Sequence, residues 1–230
     1  MSVRITLISS MATKKLLAEL TARYTELHPD HEVVVESVGG VDAAKRVQAG
    51  EVFDVVALAA DAIEKLAAGG HVVGASRIDM VRSPVAVAIK AGAPRPDIAT
   101  EEALKQAVLA APTLGYSTGP SGVQLARLFE RWGIADVVQS RIVTPPPGVP
   151  VGSLVASGDV ALGFQQLSEL MSLPGIDLLG GLPEAVQIVT TFSAAQATAS
   201  PQAQAVQAFL QFLVSPDTAA IKQRNGMSPA

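Results

Sequence analysis

The chain contains no cysteine. Disulfides, thiolate nucleophiles and cysteine-based metal sites are therefore excluded, while the redox compartment stays open. Histidine is scarce as well, limited to His28, His31 and His71. The first two share "ELHPDHEV", a polar segment that reads as a surface turn between a helix and a strand, with weak metal scavenging by "HPDH" as the alternative. No resident metal or other cofactor is expected. Charged residues make up only 17% of the chain, and the formal net charge is −4. No run of Lys or Arg is long enough to follow a nucleic-acid backbone or an anionic membrane surface, so nucleic acid is not an expected partner. Membrane insertion is not expected either, because no apolar run approaches the roughly 20 residues of a span. After Met1 the chain enters a strand-length segment without the basic start, apolar stretch and cleavage site of a secretory signal. That pattern points to the cytoplasm, or to a periplasmic protein whose signal has been removed from this sequence.

What the chain does have is apolar surface. Hydrophobic residues account for 49% of 230, enough for burial to offset the chain entropy lost on folding. The length suits one large domain or two of roughly 100 residues, each able to bury a core. Strand-like runs alternate with helical patterns from the start. "VRITLIS" is followed by Leu16, Leu17, Leu20 and Tyr24 at helical spacing, then by "EVVVESV", a helix from about Val41 to Ala49, "FDVVALA" and a helix from Asp61 to Ala68. This alternation predicts a parallel sheet with helices on both faces, and near-continuous strands such as "VVV" and "DVVALA" fit burial on both sides. "SPVAVAIKAG" reads as a long strand, Thr100 to Glu102 as a capped helix start, and Gly122 to Trp132 as a helix ended by Gly133. The prolines Pro145 to Pro147 cannot continue a central strand. A short helix at about Val151 to Ala156 and a strand at about Val160 to Phe164 follow. The last helix, from Pro201 to Val214, carries Val206, Phe209, Leu210 and Leu213 on one face.

Three strand-to-helix junctions are rich in donors. "VRITLISSMATKK" passes from a strand through Ser9 and Ser10. "ESVGGVDAAKRV" passes through Gly39 and Gly40, where the backbone can approach a ligand closely. "YSTGPSGVQLARL" passes through Ser117, Thr118, Gly119 and Ser121. In open α/β sheets ligands bind beyond the carboxyl ends of the strands, where the first N–H groups of a helix lack partners and attract anions. A hydroxyl there either caps the helix or donates to a bound oxyanion. Three such turns together suggest a donor-rich anion site. Asp54 is expected to begin its strand and Asp61 to cap the following helix. Lys45 and Arg46 are expected to face solvent, and Trp132 to lie in the core near Phe129.

The order of these motifs resembles the periplasmic molybdate-binding type of solute-binding protein. "SVGGVDAAKRVQAGEVFDVVALAADAIEKL" looks like that family's small-residue turn, helix and aspartate-headed strand. "GYSTGPSGVQLARLFERWGI" is similar to its proline and glycine turn before a long helix. "LVASGDVALGF" and the closing "AVQAFLQFLVSPDTAAIKQRNGM" extend the likeness over nearly the whole chain. The resemblance implies an α/β, two-lobed periplasmic-binding-protein-like fold of type 2, with a ligand cleft between the lobes and closure by hinge motion. Residues 1–82 plus 188–230 would form one lobe and 83–187 the other. It also implies an oxyanion held by hydroxyls and backbone N–H groups, with Ser10, Ser9 beside it, and Ser121 at matching positions. An ABC transporter permease would be the partner if the protein is exported.

Two positions depart from that pattern. Gly40 stands where the family has a second serine, and Gln166 stands where a tyrosine often follows the "LGF" glycine. A buried tetrahedral oxyanion depends on a nearly complete donor shell, so these departures shift the expected ligand from molybdate to an organic carboxylate. Arg82, at the proposed crossover, could clamp a carboxylate bidentately or join the lobes through a salt bridge. Gln165 or Gln166 could donate an amide N–H to the ligand or cap a helix. The alternative reading is an enzyme on the same scaffold, because relatives of this family include aconitate isomerases. Tyr116, Asp42 and Glu36 are candidates for proton transfer, with nothing fixing their geometry. A transcription regulator's sensing domain shares the architecture, but no DNA-binding helix-turn-helix precedes the first strand.

Overall fold

A computed structural model describes residues 3–146 and 148–230; Pro147, last of the three strand-breaking prolines, lies outside the described residues. The chain forms two compact units, one ending at Ser83 and resuming over Thr191–Ala230, the other Pro84–Thr190.

In the first unit, β1 (Val3–Ser10) leads to α1 (Lys14–Leu27), β2 (His31–Val38), α2 (Gly40–Gln48), β3 (Val55–Ala59) and α3 (Ala60–Ala68). β1 pairs in parallel with both β2 and β3, placing Ser10 opposite Val38 and Ser9 opposite Ala57. The apolar continuity of β1 and β3 follows from burial on two faces. Ile5, Leu7, Val55 and Ala57 pack under Leu16, Leu17, Leu20 and Tyr24 of α1, whereas Ile8, Val56 and Leu58 pack under Ala43 and Val47 of α2 and Ile63 and Leu66 of α3. Truncating one of these leucines to Ala would cost about 2–5 kcal/mol. "VVV" in β2 does not share this double burial. β2 is an edge strand paired only with β1, so Val33, Val34 and Val35 are partly buried.

Asp54 immediately precedes β3 and has a structural role. Its Oδ2 accepts from Thr6 N at 2.8 Å and Thr6 Oγ1 at 2.9 Å, and its Oδ1 accepts from Ser200 Oγ at 2.6 Å. Asp61 does not cap α3 as expected. The helix starts one residue earlier, with Ala59 at the cap and no side-chain bond there. Asp61 lies in the first turn, where it favours the helix dipole and pairs with Lys65.

β4 (Ile78–Lys90) carries the chain out of the first unit, and its far half enters the second. There follow α4 (Glu101–Ala110), β5 (Leu114–Tyr116), α5 (Pro120–Arg131), α6 (Ala135–Val138), β6 (Ile142–Val143), α7 (Val151–Ser157), β7 (Leu162–Gln166), α8 (Leu167–Leu170) and β8 (Ile176–Gly181). β5 pairs in parallel with β6 and β7, while β4 runs antiparallel to β7 and β8. Val85, Val87, Leu162 and Phe164 pack on Leu104 and Val108 of α4 and on Leu125 and Phe129 of α5. Ala86 and Ala88 face Val151 and Val155 of α7 on the other side. As expected, Thr100 caps α4, its Oγ1 accepting from Ala103 N at 3.1 Å.

β9 (Val189–Gln196) returns the chain to the first unit, running antiparallel to β3. α9 (Ala203–Leu213) buries Val206, Phe209, Leu210 and Leu213, the four residues at helical spacing, against the face of β1. α10 (Ala219–Arg224) and β10 (Ser228–Pro229), paired with β4, complete the unit.

Candidate anion-binding site

Each unit carries one set of donors at the carboxyl ends of its parallel strands. In the first unit the register of β1 and β2 brings Ser9 and Ser10 to the same sheet edge as Gly39 and Gly40. Ser9 is fully buried, and its hydroxyl is engaged by Ser37 Oγ at 2.8 Å. Among the described residues, the Ser10 hydroxyl makes a long 3.5 Å contact with Thr13 Oγ1. Thr13 itself donates to the Ser10 carbonyl at 3.1 Å. Gly39 is the N-cap of α2 and offers that helix no side-chain acceptor; α3 also begins without one. Each of these helices carries a carboxylate in its first turn instead, Asp42 in α2 and Asp61 in α3, where it favours the positive end of the helix dipole. A Cβ built on Gly40 would stand 3.5 Å from Ser10 Cβ, an ordinary contact that makes these two residues neighbours.

Arg82 takes part in none of the hydrogen bonds named above. It is exposed on β4, opposite Ser228 of β10. Its charge adds to an acidic neighbourhood in which Asp79 is held below its ordinary range, first by the Ser193 hydroxyl and then by Arg77.

In the second unit Tyr116 is opposite Phe164, so Ser117 leaves β5 beside the end of β7 that carries Gln165. Ser117 Oγ and Ser121 Oγ are 3.3 Å apart, and Thr118 is exposed. α5 starts with Pro120 after an N-cap glycine and likewise lacks a side-chain cap. Gly122 is required for this turn. A Cβ there would lie 1.6 Å from the Ser117 carbonyl oxygen, a distance that no rotamer change relieves.

Gln165 and Gln166 are both buried, and their side chains serve different partners. Gln165 Oε1 accepts from Gly152 N at 3.1 Å, and its Nε2 donates to Glu169 Oε1 at 2.8 Å. Gln166 Nε2 donates to Thr190 Oγ1 at 2.8 Å, leaving its buried Oε1 without a donor. Glu169, in α8, is partly buried. Burial pushes its carboxyl up to about 7, although the Gln165 amide favours the charged form. Sequence reasoning missed this residue. The only available signal was the spacing of four from Gln165, which is informative on a helix but not where one member ends a strand.

The proton-transfer candidates named from the sequence are less well placed. Burial pushes the Tyr116 phenol up, away from the range of a base at neutral pH. Asp42 is exposed. Glu36 is held low by Arg46, which also pairs with Glu51 and lies over the Phe53 ring. Arg46 is thus only partly solvent-facing, and Trp132 packs on Phe129 while donating to Glu101 Oε1 at 2.6 Å. His31 Nδ1 bonds the Tyr24 hydroxyl at 3.0 Å, and among the described residues no group of three or more His, Asp or Glu could hold a metal ion. Among the same residues, no helix is long and apolar enough to cross a membrane.

The chain belongs to the bacterial extracellular solute-binding protein family, whose pattern it matches over residues 5–228. Among individual proteins, it is similar to an aconitate isomerase from Pseudomonas sp, at 40% identity over 187 residues, 80% of this chain and 70% of the relative. Its fold matches the periplasmic molybdate-binding protein of Azotobacter vinelandii, with a TM-score of 0.80, 19% identity and coverage of 98% of this chain and 99% of the other. It also matches the structure described as the tungstate ABC transporter from Geobacter sulfurreducens, with a TM-score of 0.74, 20% identity and coverage of 96% and 98%. The periplasmic-binding-protein fold expected from the motifs is the fold observed.

Proposed function

We propose that this solute-binding protein takes a small organic polycarboxylate, with Ser10, Gly39 and Gly40 as the candidate donor turn of the first unit and Ser117 and Ser121 as that of the second. The observation that carries the reading is Gly40. The turn has ordinary room for a side chain beside Ser10, yet it forgoes the hydroxyl that a tetrahedral oxyanion would need to complete its shell. A buried anion short of one donor is penalised by about 1–3 kcal/mol, whereas a larger, flatter carboxylate can use the vacated space. Similarity to a protein named aconitate isomerase supports the same ligand class. The family's extracellular description favours the periplasmic alternative over the cytoplasmic one, with an ABC-type permease as partner. A second reading, isomerisation of the bound carboxylate, is favoured by Glu169 and by that same relative.

Thermal unfolding against molybdate, tungstate, sulfate, phosphate, citrate and both aconitates tests the ligand class. A ligand at 100 times its Kd adds about 2.7 kcal/mol, which moves the midpoint by about 2–4 °C per kcal/mol in a chain of this size. The reading expects shifts with tricarboxylates and none with molybdate or tungstate. The reverse pattern overturns it.

A further inference from the structure

From the seating of Asn225 and Gly226 at the end of α10 we infer that this pair is a site of spontaneous deamidation, held in check by the fold and released when α10 opens. Before a glycine, an asparagine side chain is easily attacked by the next backbone nitrogen, because glycine has no side chain to obstruct the approach. Asn225 is the sole asparagine of the chain, and Gly226 follows it. In the folded protein both reacting groups are tied. Asn225 is 2% exposed, and its Nδ2 donates to Glu19 Oε1 of α1 at 3.0 Å and to the Ile221 carbonyl at 2.9 Å. The Gly226 N–H, which must lose its proton to attack, donates to the Gln223 carbonyl at 3.0 Å. With ψ at 14°, the backbone of Asn225 also turns that nitrogen away from the side chain. The hold has a weak point, because Asn225 Oδ1 is buried without a donor. α10 has only six residues, and short elements of this kind open locally well below the cost of global unfolding.

Once α10 opens, the Gly226 nitrogen gives its proton to solvent base and attacks Asn225 Cγ. The new N–C bond closes a succinimide ring, and Nδ2 takes up a proton and leaves as ammonia. Water then adds to either ring carbonyl and breaks its bond to the ring nitrogen, giving an aspartate or an isoaspartate. The net change is water in and ammonia out, with nothing oxidised or reduced. The product cannot resume the old position. Glu19 Oε1 would meet a carboxylate oxygen where it had met an N–H, while Glu19 Oε2 is already engaged by Arg224 Nε at 2.6 Å. Two carboxylates in such contact disfavour each other's charged form, and isoaspartate also adds a methylene to the backbone at the helix end. Lys222 is the buried cation of the same helix, but helical side chains lean toward the start of their helix, here away from the new charge. The bond between α10 and α1 is therefore lost in one direction only.

The test incubates the full chain in mildly alkaline buffer, native and in unfolding urea, and follows Asn225 by chromatographic and mass mapping of the peptide that contains it. Conversion should occur in both, at least about tenfold more slowly in the native protein, because only the opened fraction reacts. Asn225→Asp should lower the urea midpoint read by circular dichroism. Adding Glu19→Gln should restore most of the loss, since the introduced amide can donate to the new carboxylate. Equal rates in the native and unfolded chain, or no conversion in one of them, overturn the inference. So does an Asn225→Asp variant that unfolds at the wild-type midpoint. The conversion rates are measured on the wild type and decide the matter even where Asn225→Asp fails to fold.

Discussion

Substituting Glu169 by Gln should make the second unit more stable at alkaline pH and leave it unchanged in acid. The folded protein raises this carboxyl from 4.5 to about 7, so the folded state binds the proton more tightly than the unfolded chain. Stability linked to this group is fully present below about 4.5 and is lost as pH rises to about 7. At about 1.4 kcal/mol for each pH unit, the loss amounts to roughly 3 kcal/mol. The amide introduced by Glu169→Gln still accepts from Gln165 Nε2 but carries no charge to desolvate. Urea unfolding between pH 4 and 9 measures the difference. Multi-domain chains need not unfold in one step, so the probe should be fluorescence of Trp132, the sole tryptophan, which lies in the same unit as Glu169. The variant and the wild type should agree near pH 4, diverge through neutrality and level off near pH 8 with the variant ahead by up to about 3 kcal/mol. A difference that stays flat with pH refutes the argument that burial sets this carboxyl.

Three other perturbations address different parts of the molecule. Gly40→Ser places a hydroxyl beside Ser10 with ordinary clearance, so the variant should gain a thermal shift with molybdate or tungstate that the wild type lacks. Gly122→Ala drives a methyl into the Ser117 carbonyl; overpacking of this kind costs about 1–3 kcal/mol, and calorimetry should also show weakened aconitate binding because the Ser117–Ser121 turn must move. Lys222 is buried in α10, where desolvation lowers its proton affinity. Lys222→Met should therefore stabilise the protein at neutral pH, read as a higher urea midpoint. The advantage should fade as pH approaches 10.5, because the wild-type penalty vanishes once the lysine is neutral in the unfolded chain too.

The α/β alternation was legible because its causes are local. Val206, Phe209, Leu210 and Leu213 repeat at helical spacing and are buried as a set, and Val55 to Ala59 are all buried. β2 shows the limit of such reading. "VVV" looks like a core strand, but its edge position follows from which strands pair, and that information is not in the segment itself. The donor turns could be found because hydroxyls and glycines between a strand and a helix have few uses. The division of labour between Gln165 and Gln166 could not. Adjacent residues of a strand point to opposite faces, and only the packed structure shows that one reaches Gly152 and Glu169 while the other reaches Thr190.

The bare starts of α2, α3 and α5 set a trap for protein engineers. A selection for heat resistance would favour cap residues there; Ala59→Ser, for instance, is worth about 1 kcal/mol if its hydroxyl accepts the free N–H of α3. If the turns before α2 and α5 hold the solute as proposed, a cap added there would turn a free donor into an internal bond, so stability gained at those starts would come at the expense of binding.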